Sequence, residues 1–237
     1  MPPTPQNDSQ PVGTPLPGWT PRARPVREGL NGRTCRLEPL SMATHADTLF
    51  EANSADTTAR MWTYLPYGPF ETRANYRSWM ERACQADDPL FFAIIDGRTG
   101  KAAGIAAYLR IEPASGVIEI GHLAFSPALQ RTTAATEALY LLIARAFALG
   151  YRRCEWKCDT LNAPSRAAAH RLGFTFEGIF RQAVVIKGRN RDTAWYSIID
   201  TEWPARRAAF ERWLAPENFD EAGRQRRSLT ACAEGSA

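Results

Sequence analysis

The sequence predicts an α+β fold with a mixed, mostly antiparallel sheet, and three patterns support this prediction. Two apolar segments, 90–96 and 101–111, flank the turn residues Gly97–Gly100, as in a β-hairpin. Val117–Phe125 is a further apolar strand. A helical pattern and then a strand at 152–159 follow, and a right-handed crossover would place that strand parallel to Val117–Phe125.

The same periodicity rules predict the remaining elements. Apolar residues at 135, 139, 142, 143, 146 and 147 have helical spacing, and Gly150 is expected to end that helix. Asn162 and Pro164 are typical of a helix start, so we expect a short helix from there to Leu172. The other predicted strands are 33–40, 174–187 and 193–200, with a turn at 188–192, and the other predicted helices are 44–53, 71–85 and 203–214.

Composition limits the class of protein. The chain has 237 residues, of which 44% are hydrophobic, as expected for one globular domain. It contains no run of 18 apolar residues and no apolar core of a secretory signal, so we expect no membrane partner and a cytoplasmic location. The net charge of +4 comes mostly from arginines interleaved with Asp and Glu, which favours a solvated mixed surface over a nucleic-acid site.

The two ends of the chain differ in composition from the middle. Residues 1–25 hold eight prolines and few apolar residues, so we predict a flexible arm there. One folded domain is predicted at 26–215, followed by a loose, polar tail at 216–237.

The five cysteines do not predict a disulfide framework. Cys154 and Cys158 would share one face of a strand, but a zinc site needs a second pair or histidines beside them. We therefore predict reduced thiols and no metal.

The loop after the strand Val117–Phe125 predicts an anion site. Pro127 ends the strand because proline cannot donate to a ladder, and a helix begins a few residues later. The first turn of a helix offers unpaired N–H groups and the positive end of its dipole. The small residues at 132–136 let a phosphate approach the backbone, and Thr133 or Thr136 could cap the helix.

This loop, Gln130-Arg131-Thr132-Thr133-Ala134-Ala135, resembles the pyrophosphate-binding signature of the GCN5-related N-acetyltransferases (GNAT superfamily), which is Gln/Arg-x-x-Gly-x-Gly/Ala. Its first and last positions match, and Thr133 stands where the family usually has Gly. The stretch Asn162-x-x-Ser165, followed by Leu172-Gly173-Phe174 and Glu177-Gly178, resembles the second half of the domain. It is most similar to the branch with the ribosomal-protein alanine and serine N-acetyltransferases. Together the two motifs and the strand order cover residues 33–202.

The resemblance implies a GNAT fold, with a splayed parallel strand pair and helices on both faces of the sheet. It implies acetyl-CoA as cosubstrate and transfer of the acetyl group to a primary amine by direct attack in a ternary complex. The acceptor would be a small molecule or the α-amine of a protein N-terminus, and many relatives are homodimers. The CoA-binding residues would be Leu123, Phe125, Gln130, Arg131, Thr132, Thr133, Ala134, Ala135, Thr136, Asn162 and Ser165.

The resemblance also assigns catalytic roles. Ser165 would protonate the leaving CoA thiolate. Some members carry a carboxylate shortly after the Glu-Gly pair, where this chain has Val184. Other branches use a Glu on the central strand, and Glu119 is the candidate here, although it could instead be a structural partner of an arginine. His122 is a further candidate, and it would point away from Glu119 if the strand is regular.

Residues Met61–Phe70 form a segment rich in aromatics, Pro and Gly, which predicts a rigid loop. Its aromatic rings either fill the edge of the core or form a wall of the acceptor pocket. On the second interpretation Trp62, Tyr64 and Tyr67 bind the acceptor together with His122.

Two other functions remain open at this point. Thr133 and Val184 would fit a CoA-binding sensor or scaffold that has lost catalysis. The arginines and the proline-rich arm would fit an RNA- or ribosome-associated protein. An α-amine with a pKa near ~8 is partly neutral at pH 7, so an enzyme without a strong base would favour an α-amine over lysine.

Overall fold

The computed structural model describes residues 10–234, and these form one mixed sheet with helices on both faces. The strands are β1 Leu30–Asn31, β2 Cys35–Pro39, β3 Leu90–Asp96, β4 Ala102–Glu112, β5 Val117–Phe125, β6 Arg153–Asp159, β7 Thr175–Ile186 and β8 Arg189–Ile199. The helices are α1 Met42–Ser54, α2 Arg73–Gln85, α3 Thr133–Ala148, α4 Ala163–Arg171, α5 Trp203–Leu214 and α6 Leu229–Glu234. Within this part of the chain, no helix is both long and apolar enough to cross a membrane.

Five helices begin at a residue whose side chain accepts a hydrogen bond from the first turn, and in α6 this residue is Ser228, which accepts from Ala231. Ser41, Thr72 and Asn162 cap α1, α2 and α4 in this way. Thr132 caps α3 by accepting from the N–H of Ala135 at 3.1 Å. The prediction of Thr133 or Thr136 as this cap is wrong, because the helix begins before Ala135.

The predicted fold class is confirmed. The eight strands have the order β1-β2-β3-β4-β5-β6-β8-β7, and every neighbouring pair is antiparallel except β5 and β6. These two strands pair only through Val117–Arg153, Ile118–Cys154 and Glu119–Glu155. Beyond Glu119 they separate, which opens the sheet at its centre.

Each face of the sheet has its own core. One cluster contains residues of α3, α4, α5 and α6, including Leu142, Ala169 and Phe210. The other contains residues of α1 and α2, including Leu49 and Met80. The site described below therefore lies between two packed layers, one on each face of the sheet.

Strand β5 carries a bulge at His122. Ala107 pairs with Gly121 and Ile105 with Ala124, so His122 and Leu123 lie opposite the single residue Ala106. His122 has a φ of 53°, in the left-handed region. The bulge turns its ring onto the α1–α2 face, which is also the face of Glu119. The strand is thus not regular, and the expectation that His122 points away from Glu119 is wrong.

The hairpin of β7 and β8 turns earlier than predicted. β8 begins at Arg189, and Lys187 and Gly188 form a two-residue turn with φ values of 49° and 72°. The prediction of a turn at 188–192 is wrong because most of these residues belong to β8, where Asp192 binds a neighbouring bulge in β7. Asp192 accepts a 2.7 Å hydrogen bond from the N–H of Gln182 within that bulge.

Both segments expected to be loose make specific contacts. In the N-terminal segment, the Trp19 indole donates to the Ala114 carbonyl at 2.9 Å, and the Tyr151 hydroxyl donates to the Ala23 carbonyl at 3.1 Å. In the C-terminal segment, Leu229 and Cys232 are buried. Residues 1–9 and 235–237 of these two predictions lie outside the described residues.

Candidate active site

The separation of β5 and β6 opens a cavity of about 2060 Å³ that runs through the sheet. One end lies between the start of α3 and the start of α4. The other end lies between the α1–α2 loop and the β7–β8 hairpin. We call these the anion end and the acceptor end, after the expectations for the loop before α3 and for the aromatic loop. Backbone groups of β5 that would pair with β6 in a continuous sheet face the cavity between them.

The anion end is built from the loop before α3. Gln130 donates its side-chain amide to the Phe125 carbonyl at 2.8 Å, which ties the loop to the end of β5. The N–H groups of Arg131, Thr133 and Ala134 make no hydrogen bond with any part of residues 10–234. Since α3 has sixteen residues, its dipole adds to these donors. The arrangement can hold a phosphate group.

Asn162 and Ser165, at the start of α4, lie beside this end. Asn162 accepts a 3.1 Å hydrogen bond from the N–H of Ser165 through its side-chain oxygen, so its amide nitrogen remains as the group it can offer to a ligand. The Ser165 hydroxyl oxygen accepts a 3.0 Å hydrogen bond from the indole N–H of Trp156. Both residues line the cavity where β5 and β6 part.

Glu119 lies in a buried network of charges at that point. Its side chain is only 4% exposed, and its Oε2 atom accepts from Arg110 at 2.7 Å and Lys157 at 3.1 Å. Lys157 also donates to Glu155 at 2.7 Å. Burial raises the pKa of Glu119, while Lys157 and Arg110 act in the opposite direction. Glu119 therefore has arginine and lysine partners and also contacts the cavity.

His122 forms the floor of the acceptor end. Its ring stacks on Tyr67 with centroids 5.5 Å apart, and its Nδ1 atom lies 3.2 Å from the Tyr67 hydroxyl. Burial, aided by the charges of Arg110 and Arg191, lowers the pKa of His122 to about 4. The imidazole is thus neutral near pH 7.

The aromatic loop both fills the core and walls the cavity. Tyr64 lines the cavity and donates its hydroxyl to the Leu161 carbonyl at 2.9 Å, which links the loop to the start of α4. Trp62 is 5% exposed, and a Cβ at Gly68 would stand 2.6 Å from its ring. The Trp62 carbonyl accepts from Lys187 at the hairpin tip at 2.8 Å, so the hairpin arches over the acceptor end.

Comparison with known proteins identifies the family. The family model for the acetyltransferase (GNAT) domain matches residues 35–175. A solved GCN5-related N-acetyltransferase from Brucella melitensis is 52% identical, with 92% of this chain and 100% of that chain covered and a TM-score of 0.91. The chain belongs to the GNAT acetyltransferase family. A GNAT-family acetyltransferase from Chromobacterium violaceum is 42% identical over 82% of this chain and 98% of its own, with a TM-score of 0.76.

More distant GNAT structures share the fold alone. Microcin C7 self-immunity acetyltransferase, solved with acetyl-CoA and AMP, is 23% identical over 71% of this chain and 93% of its own, with a TM-score of 0.63. A Salmonella typhimurium acetyltransferase that modifies the N-terminal serine of ribosomal protein L7/L12 is 22% identical over 73% of this chain and 99% of its own, with a TM-score of 0.62. No curated protein sequence matches the chain.

Most of the predicted site residues come together in the cavity. Those that line it are Glu119, His122, Leu123, Phe125, Gln130, Arg131, Thr132, Thr133, Ala135, Thr136, Asn162, Ser165 and Tyr64. The side chain of Ala134 packs in the core instead, and Trp62 and Tyr67 lie behind the cavity wall.

Motif comparison missed four side chains of the acceptor end. Arg110 and Lys157 bind Glu119, and Arg191 and Trp195 line the cavity from β8. The alternation of Glu155 and Lys157 with buried residues in β6 was a signal for a charged face in the core. Arg191 was assigned to a turn, and this hid its position on the strand.

Proposed function

We propose that this GNAT protein transfers the acetyl group of acetyl-CoA to a primary amine within a ternary complex. The observation that carries the proposal is the gap between β5 and β6, which joins an anion-binding helix start to a pocket with a buried carboxylate. Members of this family use acetyl-CoA, and the gap gives a thioester a path between the two ends. The acceptor would be a small molecule or a peptide N-terminus.

The anion end fits the phosphates of CoA. The open N–H groups of Arg131, Thr133 and Ala134 would donate to the pyrophosphate. The pantetheine arm would follow the unpaired edge of β5 past Leu123 and reach the side-chain amide of Asn162. Thr133 keeps its N–H available although it replaces the usual Gly, since backbone groups and not side chains make these contacts.

The reaction needs one proton removed and one supplied. The neutral amine attacks the thioester carbonyl carbon, and backbone N–H groups of β5 stabilise the oxyanion. When the oxyanion collapses, the C–S bond breaks, the thiolate takes a proton from Ser165 while water returns one to the serine oxygen, and the amide and free CoA form. The excess proton of the attacking nitrogen passes through water to Glu119, whose raised pKa suits a proton acceptor.

A thiol-release assay tests the proposal. The purified protein is mixed with acetyl-CoA and a panel of free amines, amino acids and peptides, and free CoA is measured over time. Acceptor-dependent release that falls in a Ser165→Ala variant supports the proposal. Binding of CoA by calorimetry without release on any acceptor would instead identify the inactive sensor.

A further inference from the structure

Arg191 lines the acceptor end without a hydrogen-bond or ion-pair partner among the described residues. Its side chain makes no hydrogen bond and no ion pair with residues 10–234, and its Nε atom is completely buried. Burial lowers its pKa, which reflects the cost of holding a charge away from water. Two other arginines with a buried, unpaired Nε, Arg22 and Arg206, do not line this cavity.

Trp195 shows the same pattern two pleat repeats further along the strand. It lies four residues after Arg191, so both side chains face the same side of β8. Its indole Nε1 atom is buried and has no hydrogen-bond partner in the described chain. The ring is held in place by Phe180, whose centroid is 4.5 Å away, and by Lys157, whose Nζ lies 3.8 Å from the ring centre. Both side chains therefore line the acceptor end and carry a donor that has no partner in the described chain.

The nearby carboxylates accept hydrogen bonds from residues other than Arg191. Glu119 accepts from Arg110 and Lys157, and Glu155 accepts from Lys157. Asp159 accepts a 2.9 Å hydrogen bond from the N–H of Leu161 in the turn after β6. None of them lies within ion-pair distance of Arg191, although Asp159 and Glu119 favour its charge from farther away, so the guanidinium keeps its donors for a ligand.

Two arginines also act on His122 at this end. Arg110 and Arg191 both contribute to the lowered pKa of His122, which means that they disfavour a second positive charge there. A polyamine would bring further positive charge and is disfavoured. A ligand with one amine and a nearby anionic group would balance the charge.

We infer that the acceptor carries a carboxylate a few atoms from its reactive amine, and that Arg191 binds this carboxylate while Trp195 donates beside it. This inference rests on the proposed acetyl transfer, since it names the class of acceptor for that reaction. An amine with a nearby carboxylate occurs both in a free amino acid and at the N-terminus of an acidic peptide.

Matched acceptors test the inference. One arm compares an α-amino acid with its carboxamide and its decarboxylated amine, and the other compares peptides with Asp or Asn at the second position. In the arm that contains the true acceptor class, we expect kcat/KM to be about 10- to 100-fold higher for the carboxylate-bearing acceptor than for its counterpart without the carboxylate. A charge-assisted hydrogen bond gives a difference of this size. Arg191→Gln should abolish the difference, and Arg191→Lys should keep part of it.

Arg189→Gln is the matched control, because Arg189 is exposed at the start of the same strand and does not line the cavity. It should retain the preference of the wild type. Equal rates for carboxylate and carboxamide in the wild type, or an unchanged preference in Arg191→Gln, would overturn the inference.

A binding measurement separates this inference from the proposed reaction. Calorimetry of the carboxylate-bearing amine against the CoA-loaded protein reports the anion site without turnover. Binding that Arg191→Gln removes supports the inference even if no acceptor releases thiol. Absence of binding by both carboxylate classes overturns it, even if a neutral amine is acetylated.

Discussion

Trp156 donates its indole N–H to the hydroxyl oxygen of Ser165 over 3.0 Å. An indole nitrogen is only a donor, so this bond fixes the Ser165 oxygen as an acceptor and directs the hydroxyl proton elsewhere. Asn162 holds the backbone of the same residue. The hydroxyl is therefore oriented by two neighbours before any substrate binds.

Replacing this hydroxyl should slow the proposed reaction without weakening CoA binding. A thiol has a pKa near ~8.5, so the thiolate leaves fairly well unaided, and Ser165→Ala should lower kcat by about 10- to 1000-fold. Trp156→Phe should have a smaller effect in the same direction, since it removes only the orienting donor. Steady-state thiol release measures kcat, and calorimetry with CoA provides the control. A Ser165→Ala enzyme as fast as the wild type would exclude Ser165 as the proton donor.

Thr133→Glu should abolish CoA binding in a folded protein. An acidic residue in the first turn stabilises a helix, so α3 should remain intact, while the carboxylate repels the phosphates. Thr133→Gly is the matched variant, and it should bind CoA about as well as the wild type because it leaves the backbone donors in place. Calorimetry and thermal melting measure the two effects separately. Undiminished CoA affinity in Thr133→Glu would move the phosphate site away from this loop.

Glu119→Gln should change the pH dependence of the proposed reaction. Near pH 7 the variant lacks its proton acceptor, and we expect kcat/KM to fall at least about 10-fold. At high pH the amine is neutral without help, so the rate should partly recover. The measurement is kcat/KM from pH 6 to about 9.5 for both enzymes. Identical profiles would leave Glu119 only as the ion-pair partner of Arg110 and Lys157.

His122→Asn should flatten the stability profile below neutral pH. Because the pKa of His122 is lowered to about 4, the unfolded chain takes up the proton first as the pH falls. In the wild type this group therefore reduces the free energy of unfolding below about pH 6.5, by up to ~1.4 kcal/mol per pH unit, and contributes nothing above it. Asn cannot titrate and tolerates the positive φ at this position.

Urea unfolding of both proteins between about pH 4.5 and 7.5 measures this difference. Glu119 titrates in both proteins, so its effect cancels in the comparison. Two parallel stability curves would show that His122 titrates normally.

The two aromatic residues at 62 and 64 should respond differently to substitution. Trp62→Ala empties a buried site and should cost about 3–5 kcal/mol in the free energy of unfolding. Tyr64→Phe removes only the hydrogen bond to Leu161 and should raise the acceptor KM with little loss of stability. Chemical denaturation and steady-state kinetics measure the two effects. An acceptor KM unchanged in Tyr64→Phe would make that hydroxyl purely structural.

Local patterns predict much of this structure. Strand β5 and helix α5 have the bounds that periodicity predicts, since each has one consistent apolar pattern over its length. Asn162 caps α4 as its residue type predicts. The hairpin of β7 and β8 was predicted less well, because Asn190 and Asp192 have turn composition and yet belong to a strand.

Local sequence patterns could not predict the arrangement of the acceptor end. The contacts of Arg110 and Lys157 with Glu119 depend on the pairing of β4, β5 and β6, which no short motif encodes. The orientation of His122 depends on a bulge whose position is set by that pairing. The motif residues at 162 and 165, in contrast, lie at the start of one helix, and the resemblance to the GNAT motif was enough to find them.

The gap between β5 and β6 divides the sheet into two parts. β1–β5 lie on one side of it and β6–β8 on the other, joined by only three residue pairs along this seam. The proposed cosubstrate would fill the seam and bind only the folded chain, so at a hundredfold excess over its Kd it would add about 2.7 kcal/mol to the free energy of unfolding. In a cell with scarce acetyl-CoA, more copies would unfold and be degraded, so the amount of this protein would follow the supply of its own acetyl donor.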